Sequence, residues 1–74
     1  MPRSAQQVSQ DLAINLRNER LRAGYSQEHL ALAACVDRTY VSQIERGVGN
    51  PSIGVLAKLA HCLSLDVSEL LQRR

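Results

Sequence analysis

The chain has 74 residues, a formal net charge of +2 and a sequence pI near 8.8. A chain this short forms one domain and buries only about 60% of its unfolded surface. The charge falls short of the pI above about 9 that marks a nucleic-acid-binding domain electrostatically, so composition alone does not reveal a partner.

The composition favours a bundle of short helices. There is no Trp or Phe, so Leu, Ile, Val and Ala must form the core, whereas a sheet would be enriched in β-branched and aromatic residues. No apolar run approaches the roughly 20 residues of a membrane span, and no signal-peptide pattern opens the chain. Two cysteines are too few for a secreted disulfide scaffold. We expect a cytoplasmic, all-α protein in which residues 1–74 form a single domain, with 1–5 and 72–74 as frayed tails.

The first predicted helix runs from about Ala5 to Ala23, with Ser4 as its N-cap and Gly24 as its stop. Residues four apart stack on one helix face. The apolar row comprises Val8, Leu12 and Leu16. Arg20 continues this row, so it either snorkels at the edge or is buried with a partner.

Four further helices are predicted, because each can begin after a residue with a side-chain oxygen. These caps are Ser26, Asp37, Ser52 and Asp66. The third helix spans 37–47 and ends at Gly47. The fourth has a predicted buried stripe of Ile53, Leu56, Leu59, Ala60 and Leu63. Helices two and three, joined by a short turn, match a helix-turn-helix layout, although periodicity alone does not distinguish it from other small bundles.

The third helix has a polar face. At about 100° per residue, Val41 and Ile44 define its buried side. The opposite arc carries Arg38, Thr39, Ser42, Gln43 and Arg46. Guanidinium groups can bind guanine edges, a carboxamide can pair with adenine, and hydroxyls add further contacts in a DNA groove. A plain solvated face is the alternative, and amphipathicity alone favours it.

Two segments, GYSQEHLALAACVDRTYVSQIERGVGNPS and LAKLAHCLSLDVSELL, resemble the phage repressor and Cro-type helix-turn-helix family. The resemblance extends from about Leu12 to Leu71. Within it, DRTYVSQIERG looks especially like the recognition helix of restriction–modification controller proteins. The resemblance implies a five-helix, lambda-repressor-like DNA-binding domain whose second and third helices form the helix-turn-helix.

The resemblance also implies a role for each polar position. The residues expected to contact base edges are Arg38, Thr39, Ser42 and Gln43. Those expected at phosphates are Gln27, Tyr40, Arg46, Asn50 and Arg17, although Arg17 is equally consistent with a plain surface residue. In related repressors the equivalents of Arg20 and Glu45 form an ion pair, which would join the first helix to the recognition helix.

A homodimer is expected, because two-fold symmetry allows two recognition helices to read a palindromic operator one helical turn apart. The candidate interface comprises Leu65, Val67, Leu70 and Leu71; alternatively, some of these residues close the core. RNA polymerase is a second candidate partner, whereas no membrane partner, cofactor or catalytic site is expected. The isolated His and Cys residues lack the paired spacing of a zinc site.

Two positions depart from the family pattern. Cys35, in the turn before the third helix, and Ser64, after the fourth, stand where Gly is common. A left-handed backbone there would be strained with any side chain. Two other functions also stay open: an antitoxin that binds a toxin, and a helical protein-interaction module that does not touch DNA.

Overall fold

The computed structural model describes all 74 residues, and every helix in it begins where a side-chain oxygen accepts a backbone N–H. The five predicted N-caps are confirmed. The helices are α1 (Ala5–Arg22), α2 (Gln27–Ala34), α3 (Arg38–Glu45), α4 (Ile53–Cys62) and α5 (Val67–Leu70). In α1 and α5 the caps are reciprocal: Ser4 pairs with Gln7, and Asp66 pairs with Glu69. None of the five helices has the length and hydropathy needed to cross a bilayer.

Four of the helices end in the same hydrogen-bonded turn. Just past each helix, one residue takes a left-handed backbone conformation, and the next residue donates its N–H to a carbonyl five positions earlier. The left-handed residues are Gly24, Cys35, Gly47 and Ser64. The expected strain at Cys35 and Ser64 is therefore present, since φ is 58° at both.

All five helices contribute to one core. The fully buried side chains are Leu16, Leu30, Val41, Leu59 and Leu70. The predicted buried side of α3 is confirmed, because Val41 is 0% and Ile44 is 3% exposed. The predicted stripe of α4 is wrong at Ile53, which is 79% exposed. Ile53 is the first residue of α4, whereas the buried members of the stripe, Leu56, Leu59 and Ala60, lie further along the helix.

The burial of α5 corrects one site expectation. Leu70 is 0% exposed, so it closes the core of this chain and is not available to a dimer interface. Leu65, Val67 and Leu71 are partly buried against the same core. The alternative that some of these residues close the core therefore applies to Leu70.

A buried amide holds the C-terminal helix in place. Asn15 in α1 donates from Nδ2 to the carbonyl of Leu70 at 2.9 Å and to the carbonyl of Gln72 at 2.8 Å. The carbonyl of Leu70 belongs to the last residue of α5, where a helix leaves its acceptors without partners, and that of Gln72 lies two residues beyond the helix. This role of Asn15 was not predictable from the sequence, because nothing near it in the chain signals a partner 55 residues away.

Candidate nucleic-acid interface

Helix α3 presents its polar face to solvent because its apolar side is anchored in the core. Arg38, Thr39, Tyr40 and Arg46 are exposed, and Ser42 and Gln43 are half-buried at the edges of the same surface. Asp37 caps the helix and accepts a hydrogen bond from the backbone N–H of Thr39 at 2.8 Å. This hydrogen bond lowers the pKa of Asp37.

The predicted base-contacting residues line two separate depressions. Arg38, Thr39 and Ser42 line the first, which has no hydrophobic lining residue. Gln43 lines the second with Tyr40 and Asn50, two of the expected phosphate contacts. The structure thus brings three predicted base contacts together and places the fourth beside the loop between α3 and α4.

The remaining expected phosphate contacts lie outside these depressions. Arg46 follows the last residue of α3, and Arg17 is on α1; both are exposed. Gln27 is the first residue of α2 and is half-buried. The exposed guanidinium groups are therefore free to contact a ligand, whereas Gln27 is partly engaged inside the protein.

A buried network fixes the orientation of α3. Arg20 Nε donates to Glu45 Oε2 at 2.6 Å, and Arg20 Nη2 donates to Glu45 Oε1 at 2.9 Å. The hydrogen bond to this carboxylate raises the pKa of Arg20, against the opposing effect of burial. The ion pair that the family resemblance implied is present in the structure.

Two further groups complete this network. Arg20 Nη1 donates to the backbone carbonyl of Tyr25 at 2.8 Å, a partner that the sequence did not indicate. Gln27 Nε2 donates to Glu45 Oε1 at 3.2 Å, so the side chain of Gln27 also supports the third helix. Helix α1, the turn before α2, the start of α2 and the end of α3 therefore meet at this ion pair.

This surface offers hydrogen-bonding and charged side chains to a ligand. No three His, Cys, Asp or Glu side chains lie close enough together to hold a metal ion. Both cysteines are free thiols, Cys35 exposed and Cys62 half-buried.

Comparison with known proteins shows which proteins this chain resembles. A helix-turn-helix family model matches residues 16–70. A hypothetical transcription factor of Neisseria meningitidis is 42% identical over 60 residues, which are 81% of this chain and 57% of that protein. The control protein C.SmaI of Serratia marcescens is 36% identical over 67 residues, 90% of this chain and 80% of C.SmaI.

Among solved structures, the biofilm master regulator SinR in complex with DNA superposes with a TM-score of 0.78 at 37% identity, covering 82% of this chain and 98% of the chain in that structure. The chain thus spans less than two thirds of the Neisseria protein but most of C.SmaI and of the SinR structure. The residues that match the family model include α2, α3 and the ion pair of Arg20 with Glu45. The chain belongs to the helix-turn-helix family.

Proposed function

We propose that this chain is a sequence-specific, double-stranded DNA-binding transcription regulator whose α3 enters the major groove. The observation that carries the proposal is the open depression lined by Arg38, Thr39 and Ser42 on a helix anchored from behind. The major groove of B-DNA admits an α-helix, and its base edges match guanidinium and hydroxyl groups. The similarity to a transcription factor and to a regulator solved with DNA supports a binding function over a catalytic one.

The side chains divide into two groups in this proposal. Arg38, Thr39, Ser42 and Gln43 contact base edges and specify sequence. Phosphate contacts fix register without reading sequence. These come from Gln27, Tyr40, Arg46, Asn50 and Arg17. Gln27 adds the favourable potential of the α2 N-terminus, where phosphate groups bind readily.

The regulator acts as a homodimer on a palindromic operator. Leu65, Val67 and Leu71 are the proposed interface, since they are only partly covered by their own core. Leu71 also borders an open groove with the apolar side chains of Val8, Leu12 and Leu56. Sedimentation at micromolar concentration is expected to give a dimer, and a monomer alone would contradict this part of the proposal.

Within this class, the chain is proposed to be a restriction–modification controller. The similarity to C.SmaI, over nine-tenths of this chain, supports that assignment. A reading frame for a restriction endonuclease or methyltransferase beside its gene is expected, whereas a neighbouring toxin gene would favour an antitoxin. Contact with RNA polymerase stays a prediction.

A salt titration with two arginine variants tests the DNA-binding function. The logarithm of the association constant should fall linearly with the logarithm of salt concentration, because bound phosphates release counterions. Arg46→Ala should weaken all duplexes alike and reduce this slope by about 1. Arg38→Ala should instead cost about 1–3 kcal/mol of discrimination at one base pair. Equal losses from both variants on every duplex would refute the division between base and phosphate contacts.

A further inference from the structure

The loop after α3 folds back over the last turn of the helix. Gly47 N donates to Ile44 O at 3.0 Å, and Val48 N donates to Gln43 O at 3.0 Å. This pair of bonds reverses the chain, as in other helices that end with a left-handed Gly. The reversal places Gly49 directly against the side chain of Gln43.

Gly49 differs from the other two left-handed glycines in what surrounds it. The φ angles of Gly24, Gly47 and Gly49 are +82°, +74° and +81°. A Cβ atom at Gly24 or Gly47 would meet nothing within 4 Å. At Gly49 it would lie 3.2 Å from Oε1, 3.5 Å from Cβ and 3.7 Å from Cδ of Gln43. Backbone conformation alone therefore favours Gly at 24 and 47, whereas at 49 the missing side chain also makes room for a neighbour.

We propose that Gly49 is a specificity-determining position, which acts by positioning the carboxamide of Gln43. This inference rests on the proposed function, in which Gln43 contacts a base edge. A Gln side chain recognises adenine by accepting and donating one hydrogen bond at the same time, so both amide atoms must be correctly placed. Oε1 is the atom of Gln43 nearest to the space at Gly49, and a Cβ 3.2 Å away is closer than ordinary van der Waals contact, so a side chain there would shift this acceptor by a few tenths of an ångström.

The same loop links base contact to phosphate contact. Gln43, Tyr40 and Asn50 border one depression, and Gly49 immediately precedes Asn50. When Asn50 and Tyr40 hold a phosphate, they set the position of the loop relative to the DNA backbone. The loop in turn limits where the carboxamide of Gln43 can lie. Gly49 thus couples the position of the protein on the DNA backbone to the placement of one base contact.

The test compares Gly49→Ala with Gly47→Ala, which carries similar backbone strain but creates no contact with Gln43. Each full-length variant, with wild type and Gln43→Ala, selects duplexes from a random library, and its binding to the selected and singly changed duplexes is measured. Gly49→Asn is made in parallel, because Asn carries the same Cβ and tolerates left-handed backbone better than Ala. Thermal unfolding verifies that each variant is folded.

We expect Gln43→Ala to reduce discrimination at one base pair by about fivefold or more. Gly49→Ala, or Gly49→Asn, should reduce discrimination at that same base pair by about threefold or more, while Gly47→Ala keeps the wild-type preference. Wild-type preference in the Gly49 variants, or equal changes in the Gly47 and Gly49 variants, would overturn the role of Gly49. An unchanged preference in Gln43→Ala would overturn it too, while leaving DNA binding intact. Absence of any selected sequence with wild type would instead contradict the proposed function itself.

Discussion

Arg20 and Glu45 form a two-bond ion pair that joins α1 to the end of α3. Only 10% of the Arg20 side chain and 5% of the Glu45 side chain are exposed. The carboxylate also accepts from Gln27 of α2, so three helices meet there. The orientation of the polar face of α3 therefore depends on a residue 25 positions earlier in the chain.

Glu45→Gln should lower the free energy of unfolding by about 3–5 kcal/mol, because it leaves the Arg20 guanidinium buried without a counter-charge. DNA affinity should fall with it, since α3 loses its support. The matched control is Glu19→Gln, which removes an exposed pair with Arg22 at 3.4 Å. That change should cost at most about 1 kcal/mol. Urea unfolding measures both, and equal stability of wild type and Glu45→Gln would contradict a supporting role for the pair.

Cys35→Gly should raise the free energy of unfolding by about 0.5–1 kcal/mol. Cys35 has a φ of 58°, and relief of that strain should exceed the extra entropy that Gly gives to the unfolded chain. Ala33→Gly, at an exposed site inside α2, is the control and should destabilise by about 1 kcal/mol. Thermal unfolding in reducing buffer measures whether each variant is more or less stable than wild type. A loss of stability in Cys35→Gly would show that the contacts of the thiol stabilise the fold by more than the backbone strain destabilises it.

Asn15→Ala should cost about 1–3 kcal/mol of stability, because the carbonyl of Leu70 would lose its hydrogen bond in a buried place. Amides of α5 should exchange with solvent faster in this variant, since α5 has only four residues and Asn15 ties its end to α1. Asn18→Ala, exposed on α1, serves as the control and should change little. Unchanged protection of α5 would show that packing of Leu70 alone holds it.

The two aspartate N-caps, Asp37 and Asp66, should make the free energy of unfolding decrease in acid. Hydrogen bonds from the backbone N–H of Thr39 lower the pKa of Asp37, and those from the hydroxyl and backbone N–H of Ser68 lower the pKa of Asp66. Because the folded pKa lies below the ordinary value of 3.8, the unfolded chain binds more protons in this range. The stabilisation is thus present above about pH 4 and is lost as pH falls through the folded pKa values.

The double variant Asp37→Asn with Asp66→Asn isolates this effect, since Asn caps helices about as well as Asp but does not titrate. Urea unfolding at about pH 7 and about pH 3 should show a smaller loss of stability in the variant than in wild type. Identical losses would mean that other carboxylates account for the acid sensitivity.

Part of the nucleic-acid interface was predictable from the sequence. The polar face of α3 follows from helical periodicity around Val41 and Ile44, and the family resemblance identified Glu45 as the partner of Arg20. The division of the base contacts between two depressions was not predictable, because it depends on the path of the loop that brings Asn50 beside Gln43.

The sequence by itself determined where the five helices begin and, at Gly24 and Gly47, how two of them end. A cap joins a side chain to a backbone N–H two or three residues away, and a left-handed turn joins groups within six residues, so both follow from local chemistry. Only the tertiary structure decided that Leu70 is buried, that Ile53 is exposed and that Asn15 holds the end of α5. Burial and long-range hydrogen bonds depend on which helix covers a residue, and apolar periodicity identifies a face without identifying what lies against it.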